Sequence, residues 1–204
     1  IAYFVSGTWP GDVGEFEVID KPLNNKKFAY AKLIHLIQPS AQRQAPACQY
    51  VSLEENACTG CPWMIADYTS QLEQKRNRFV YAMKRVGFDT AQLTISAVHP
   101  APQTYGYRNR CQLKTDGVQL GFISEHSHQI APIDDCIVLN DSCRNLLKTT
   151  RMQLPNTAWQ SDPGKDFNVI ELDDELPPDA IHLNQKRPFN QGNTSQNLWM
   201  QSWL

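Results

Sequence analysis

The first forty residues alternate apolar and polar positions in short stretches that are separated by turn-forming residues. The stretch IAYFVSGTWPGDVGEFEVID alternates on both sides of Pro10-Gly11-Asp12, and KKFAYAKLIHLI follows the turn-rich KPLNN. A period of two predicts β-strands, and clusters of Pro, Gly and Asn predict turns. We therefore predict a short β meander, whose strand spacing is typical of most of a small barrel of the oligonucleotide-binding type.

Helical periodicity begins after residue 64. Apolar residues recur at helical spacing between Ile65 and Val86, and Gly87 follows them. This pattern predicts one long helix that ends at a glycine cap. The opposite face carries four polar residues: Gln71, Lys75, Arg78 and Arg85. Solvation is the usual explanation for such a face, so taken alone it indicates no partner.

A β-hairpin is predicted in YGYRNRCQLKTDGVQLGFIS, with its turn at Asp116-Gly117. Strand alternation places four polar side chains on one face: Arg108, Arg110, Gln112 and Lys114. Such a row is either a charged edge that prevents aggregation or a set of donors for phosphates and base edges. The pattern alone leaves both interpretations open.

The rest of the chain gives fewer signals. A third strand is predicted near HQIAPI, and a helix from about Ser142 to Met152. Residues 155–180 are rich in Pro, Asp and Asn and give the least information.

Length and composition narrow the class of protein. The 204 residues suffice for one domain or two small ones, and the net charge of −2 gives no bulk attraction to a polyanion. No signal peptide or membrane-spanning apolar run is present, so we expect a cytoplasmic monomer that does not bind membranes. Ile1 lies inside a predicted strand and the amphipathic QNLWMQSWL stops without a cap. We therefore expect part of a longer protein.

Three of the six cysteines are clustered in CQYVSLEENACTGCPW, at Cys48, Cys58 and Cys61. A disulfide is the weakest explanation, because Cys-x2-Cys pairs in a cytoplasmic context are usually catalytic or metal-bound. A zinc site is possible, but no second Cys-x2-Cys pair follows, and no clip spacing is found at the mid-chain histidines His99, His126 and His128. An iron-sulfur cluster held by three clustered thiolates and a remote one fits the pattern better.

The fourth ligand must come from the remaining cysteines. Cys111 alternates onto the apolar face of a strand, and Cys143 lies inside a predicted helix. Both are expected to be buried small side chains. Cys136 follows a strand and precedes a helix, where the backbone can present a thiolate, and we predict that it is the fourth ligand.

Several motifs occur together in the order of a known family. CTGCPW, YTSQLEQKRNRF, HPAPQTYGYRNRCQLK, SHQI and IDDC follow one another along the chain. This order resembles the RNA (uracil-5-)-methyltransferases that carry a TRAM domain and an iron-sulfur cluster, over most of residues 3–140. The resemblance implies a 4Fe-4S cluster on Cys48, Cys58, Cys61 and Cys136. It also implies that residues 107–110 lie near the RNA-facing side.

PFNQGN, near the end of the chain, is similar to the stretch that opens the catalytic domain of these enzymes. The resemblance implies that Phe189 lies beside a flipped uridine and that Gln191 contacts S-adenosylmethionine. No glycine-rich loop for that cofactor is found, and no residue can be given the role of catalytic thiolate or base. We therefore expect the chain itself to be catalytically silent.

The expected fold class is α+β, mostly β at the N-terminus. Residues 1–40 would form a partial TRAM barrel and residues 41–185 a small α/β iron-sulfur domain. Residues 186–204 would be the truncated start of an S-adenosylmethionine-dependent domain whose Rossmann-like methyltransferase fold is otherwise absent.

The expected function is RNA recognition within an enzyme that makes 5-methyluridine, in ribosomal rather than transfer RNA. An iron-sulfur electron-transfer protein and a zinc-dependent nucleic-acid-binding module are the alternatives.

Overall fold

The chain forms two units, and it passes between them more than once. Unit 1 contains Ile1–Gln49 and Cys61–Pro100, and unit 2 contains Tyr50–Gly60 and Ala101–Leu204. The computed structural model describes residues 1–19, 27–52, 54, 56–124, 127, 129–185 and 187–203. Among these residues, none of the helices combines the length and the apolar character needed to cross a bilayer.

Unit 1 begins with a three-stranded sheet. Its strands are β1 (Ala2–Val5), β2 (Val13–Val18) and β3 (Phe28–Gln38). The central strand is β3, which pairs in parallel with β1 and antiparallel with β2. The predicted meander is therefore wrong, because consecutive hairpins give only antiparallel neighbours whereas β1 pairs with β3. The three described strands do not by themselves close a barrel, and the assignment of residues 1–40 to a partial barrel stays a prediction.

Asp12 fixes the turn between β1 and β2. Its carboxylate, only 2% exposed, accepts hydrogen bonds from the Trp9 amide at 2.6 Å, the Ser40 amide at 2.9 Å and the Arg43 guanidinium at 2.8 Å. Burial by itself raises the pKa of Asp12, but these hydrogen bonds outweigh it and leave the pKa below its ordinary value. Through Ser40 and Arg43, the chain that follows β3 therefore holds this turn in place.

The long helix predicted from the apolar periodicity after residue 64 is confirmed in unit 1. A 3₁₀ helix, Pro62–Ile65, precedes α1, Tyr68–Arg85. The side chain of Asp67 caps α1 by accepting the Ser70 amide at 2.9 Å. Gly87 ends it with φ +95°, the left-handed conformation in which glycine is favoured.

Unit 2 contains a four-stranded sheet in the order β6-β5-β4-β7. Its strands are β4 (Arg110–Thr115), β5 (Leu120–Ile123), β6 (Ile130–Pro132) and β7 (Asn168–Asp173). The predicted hairpin turn is confirmed, since the Asp116 carboxylate accepts two backbone amides and Gly117 has φ +88°. All pairs in this sheet are antiparallel, so the expected α/β architecture is wrong.

Helices cover or follow this sheet. Helix α2, Asp141–Arg151, confirms the predicted helix and packs against β7. Two 3₁₀ helices, Thr157–Trp159 and Pro178–Ala180, and helix α3, Thr194–Trp203, complete unit 2. The core consists of fully buried side chains from β4, β5, β7, α2 and the loop before α2: Leu113, Leu120, Leu139, Leu147, Ile170 and Leu172.

Candidate functional site

The residues just before β4 lie between two other segments of unit 2. Arg108 donates its amide to Val138 at 2.8 Å and accepts the Asn140 amide at 2.9 Å. On the opposite side it bridges Asn193 in antiparallel fashion, and the amide of Asn109 donates to the Gly192 carbonyl at 3.0 Å. Backbone pairing on both sides therefore holds this short segment in place.

This pairing brings together sequence-predicted residues that are nearly eighty positions apart. The Arg110 guanidinium donates to the Pro188 carbonyl at 2.6 Å, next to Phe189. The ring of Phe189 is 84% exposed, and the side chain of Gln191 is also exposed. The structure thus presents Phe189 and Gln191 to solvent beside Arg108 and Arg110. We call the side chains of Arg108, Phe189 and Gln191 the β4 edge.

The polar row of β4 is only partly available to a ligand. Arg110 forms ion pairs with Glu171 and Asp173 of β7, and the Gln112 amide donates to Glu171 at 3.3 Å. The β4–β7 register places Arg110 opposite Asp173 and Gln112 opposite Glu171, so the two strands neutralise each other across the sheet.

The two ends of the row differ in their surroundings. The Lys114 ammonium lies 5.3 Å from the ring centroid of Phe167, and burial lowers the pKa of Lys114. Arg108 is exposed, and its Nε donates to the Arg110 carbonyl at 2.9 Å. Its position makes Arg108 the cation of the row that is best placed for a phosphate.

The four cysteines predicted as ligands are all half-buried, two in each unit. Cys48 and Cys61 lie in unit 1, while Cys58 and Cys136 lie in unit 2, where both pack against the core. The amide of Cys58 donates to the Tyr50 carbonyl at 3.0 Å, within the same segment of unit 2.

Side chains from several elements hold the loop before Cys136. The Tyr50 hydroxyl lies 3.2 Å from the Asp134 carboxylate and accepts the Asp134 amide at 2.9 Å. From α2, Arg151 pairs with Asp134 and Arg144 pairs with Asp135. The hydrogen bond from Arg144 lowers the pKa of Asp135 and so favours the charged form of that carboxylate.

The other two cysteines behave as buried small side chains, as predicted. Cys111 is 2% exposed and Cys143 is fully buried. Burial raises the pKa of both thiols, that of Cys143 to about 12, and the Cys143 thiol donates to the Asn109 carbonyl. Neither is suited to be a thiolate ligand at neutral pH.

The cysteines show no metal centre in this structure. Among the described residues, no three His, Cys, Asp or Glu side chains are grouped so that they could hold a metal ion. No disulfide joins any of the six cysteines, all of which are described. His126 and His128 lie outside the described residues. The four half-buried thiols match an iron-sulfur cluster in chemistry and number, and the ligand set stays a prediction.

Sequence comparison finds relatives named as RNA methyltransferases, although no family model matches the chain. It is 58% identical over all 204 residues to an uncharacterized RNA methyltransferase of Nitrosomonas europaea, 52% of whose length it spans. It is 34% identical over 142 residues to a 23S rRNA (uracil(1939)-C(5))-methyltransferase of Vibrio vulnificus. These cover 67% of the chain and 30% of that relative. The chain therefore spans about half or less of these proteins.

A solved structure shares the fold. The crystal structure of a Pyrococcus abyssi tRNA (uracil-54, C5)-methyltransferase in complex with S-adenosyl-L-homocysteine matches with a TM-score of 0.52 and 22% identity. The match covers 83% of this chain and 37% of the other. This corrects the predicted fold class: the chain shares the fold of part of a methyltransferase, so the expectation that a methyltransferase fold is absent is wrong.

Sequence reasoning missed the acidic partners of the polar row. Glu171 and Asp173 lie within residues 155–180, the segment that gave the least information. The stretch NVIELD nevertheless contains two adjacent β-branched residues, and its acids Glu171 and Asp173 alternate with Leu172. Those signs favour a strand. Pairing that strand with β4 would have indicated that Arg110 is neutralised.

Proposed function

We propose that this chain recognises RNA within an S-adenosylmethionine-dependent methyltransferase that forms 5-methyluridine, in ribosomal rather than transfer RNA. The observation that supports this most is the 58% identity, over the whole chain, to a protein named as an RNA methyltransferase. The name of the Vibrio relative supports uracil in 23S rRNA as the substrate. The chain spans only about half of the first relative, so the activity of the whole protein is part of the proposal.

In this proposal Arg108 and Phe189 of the β4 edge contact the RNA. An exposed aromatic ring can stack on an unpaired base, and Phe189 offers such a ring. Arg108 supplies a guanidinium for a phosphate. Arg110, paired with Glu171, has a positioning role because it holds the segment at Pro188.

S-adenosylmethionine supplies the methyl group, and Gln191 is the residue proposed to contact it. The residues of this chain bind and orient in this scheme. None is assigned to nucleophilic attack or to proton removal, and we predict that the chain alone does not methylate RNA.

Cys48, Cys58, Cys61 and Cys136 are the proposed ligands of a 4Fe-4S cluster. Thiolates are the usual ligands of such clusters, and half-buried thiols suit the role better than the buried Cys111 and Cys143. We propose that the cluster stabilises the fold rather than transferring electrons, since structural metal sites contribute their binding free energy to folding.

RNA binding tests the β4 edge. A short fluorescein-labelled RNA hairpin with a uridine-rich loop is titrated with the chain at several salt concentrations, and binding is followed by fluorescence anisotropy. Phe189→Ala should weaken binding by about tenfold, because loss of one base–aromatic stack costs roughly 1–3 kcal/mol. Arg108→Gln should reduce the salt slope by about 0.7 for a single-stranded contact.

Lys165→Gln, at an exposed lysine paired with Asp162, is the control. Unchanged curves for both edge variants would remove the β4 edge from the proposal.

Metal analysis tests the cysteine ligands. Protein purified without oxygen should contain about four irons per chain, as expected for one 4Fe-4S cluster. Replacing any one of the four proposed ligands by serine should abolish this iron content. Cys111→Ala and Cys143→Ala should retain it, because both thiols are buried in the core. Stoichiometric zinc without iron, or full iron in Cys136→Ser, would contradict the assignment.

A further inference from the structure

Helix α1 of unit 1 carries a basic surface with an exposed aromatic ring. Five of its exposed side chains form this surface: Lys75, Arg78, Tyr81, Lys84 and Arg85. Tyr81 is 63% exposed, and the Arg85 guanidinium lies 5.9 Å from the centroid of its ring. We call this set the α1 surface, and neither the β4 edge nor the cysteines include any part of it.

The charge of α1 is strongly unbalanced. The helix sequence YTSQLEQKRNRFVYAMKR contains five cations and a single acid, Glu73. A helix face that is merely solvated is usually balanced by acids three or four residues from its cations. Here Glu73 is three residues before Arg76, while Lys75, Arg78, Lys84 and Arg85 have no acid at either spacing within the helix. Because the whole chain has a net charge of −2, this surface is a local concentration of positive charge.

These cations are also not engaged with carboxylates. In the part of the chain that the structure describes, no ion pair involves Lys75, Lys84 or Arg85. Arg110 of β4, by contrast, is paired with two acids. A polyanion would therefore displace no carboxylate from Lys75, Lys84 or Arg85.

Two arginines of α1 have structural tasks. Arg76 donates to the carbonyls of Ile95 and Ser96, and the Arg78 guanidinium lies 4.6 Å from the ring centroid of Trp63. Arg76 therefore binds α1 to residues 95–96, which follow the helix in the chain. Arg78 packs on Trp63 but stays exposed, so its outer edge can still face a ligand.

We infer that the α1 surface is a second RNA-binding surface. Lys75, Lys84 and Arg85 contact phosphates there, and Tyr81 stacks on an unpaired base. Cations interleaved with an exposed aromatic ring form the chemistry by which proteins bind single-stranded RNA without reading its sequence. The inference rests on the proposed RNA-binding function and extends it to a surface that the polar row of β4 did not predict.

The test compares two charge-matched variants of the full 204-residue chain. Lys75→Gln/Arg85→Gln removes two cations from the α1 surface, whereas Lys148→Gln/Lys165→Gln removes two exposed cations from unit 2. Binding of the fluorescein-labelled hairpin is measured by anisotropy over a range of potassium chloride concentrations. The first variant should bind more weakly, and its salt slope should fall by about 1.4, or two contacts at 0.7 each. The second should keep the wild-type slope.

Tyr81→Leu tests the stacking contact separately. It should weaken binding of the hairpin with an unpaired loop by about tenfold, in the range found for one base–aromatic stack. It should leave binding of a fully paired RNA duplex unchanged. Circular dichroism of each variant checks that the helix content equals that of the wild type, which is expected because the replaced side chains are exposed.

The outcomes separate this inference from the proposed function. If wild type binds the hairpin and Phe189→Ala weakens it, but the α1 variants match wild type, the α1 surface is overturned while the β4 edge stands. If both charge-matched variants lose the same slope, the effect is bulk charge and the inference is also overturned. If wild type binds no RNA, the proposed function fails first and the inference fails with it.

Discussion

Tyr50 connects the two segments of unit 2 that carry proposed cysteine ligands. Its carbonyl accepts the amide of Cys58 at 3.0 Å, and its hydroxyl accepts the amide of Asp134, two residues before Cys136, at 2.9 Å. The ring packs against the core. One side chain therefore fixes both segments relative to the same core, and we interpret Tyr50 as a positioning residue for the two thiols.

Tyr50→Phe should loosen the loop before Cys136 without unfolding unit 2, because the ring stays and only the hydroxyl is lost. The amide of Asp134 should exchange faster with solvent, by a factor that corresponds to roughly 1 kcal/mol for one hydrogen bond. Cobalt(II) binding should weaken by about tenfold, as is typical when a residue supporting metal ligands is removed. Residue-resolved hydrogen exchange and a cobalt titration measure the two effects.

Tyr105→Phe is the control for this prediction, since Tyr105 is an exposed tyrosine of unit 2. It should change neither exchange at Asp134 nor cobalt affinity. If Tyr50→Phe also leaves Asp134 exchange unchanged, the positioning role is wrong, whatever metal the protein binds.

Elements that depend on local pattern could be predicted from the sequence. Helix α1 follows from its apolar spacing and from Gly87, whose φ of +95° matches the predicted glycine cap. The hairpin follows from Asp116-Gly117, because this pair supplies both a carboxylate acceptor and a left-handed residue. In each case a few neighbouring residues determine the element, so no distant contact is needed to predict it.

Elements that depend on distant pairing could not be predicted in the same way. The parallel pairing of β1 with β3 is set by contacts across more than twenty residues, and local alternation is identical for either neighbour. Strand β7, which completes its sheet, begins more than fifty residues after the end of β4. Its absence from the prediction left Arg110 without the acids that neutralise it, so the polar row of β4 was expected to be more available than it is.

The sequence identified residues of the candidate site, but it did not predict how these residues are arranged in space. Motif order indicated Phe189 and Arg108, but the backbone pairing of Arg108 with Asn193, four residues after Phe189, was needed to bring their two segments together. The α1 surface shows the opposite case. Its cations are visible in the sequence, yet solvation explained them equally well until exposure and ion pairing were known.

At the scale of the whole molecule, each unit has its own buried or half-buried ion pair. In unit 1 the pair is Arg43 with Asp12, whose carboxylate is 2% exposed. In unit 2, Arg110 pairs with Glu171, whose side chain is 3% exposed, whereas the side chains of Arg144 and Asp135 are both about one third exposed. Solvent screens the pair of Arg144 with Asp135 more strongly than the two buried pairs. Acid should therefore affect the stability of unit 1 mainly through Asp12.

Asp12→Asn should destabilise unit 1 at neutral pH by about 3 kcal/mol, because it leaves Arg43 without its charged partner in a buried turn. The folded pKa of Asp12 is lowered. Its stabilising contribution is therefore complete above the ordinary carboxyl pKa of about 3.9 and is lost as the pH falls through the lower, folded value. The stability difference between wild type and Asp12→Asn should accordingly shrink below about pH 4.

Hydrogen exchange of the β1–β3 peptides in guanidinium, repeated over a range of pH, measures this stability difference. Asp162→Asn, at an exposed ion pair, should leave these peptides unaffected, and a difference that stays constant down to pH 2 would contradict the role given to Asp12.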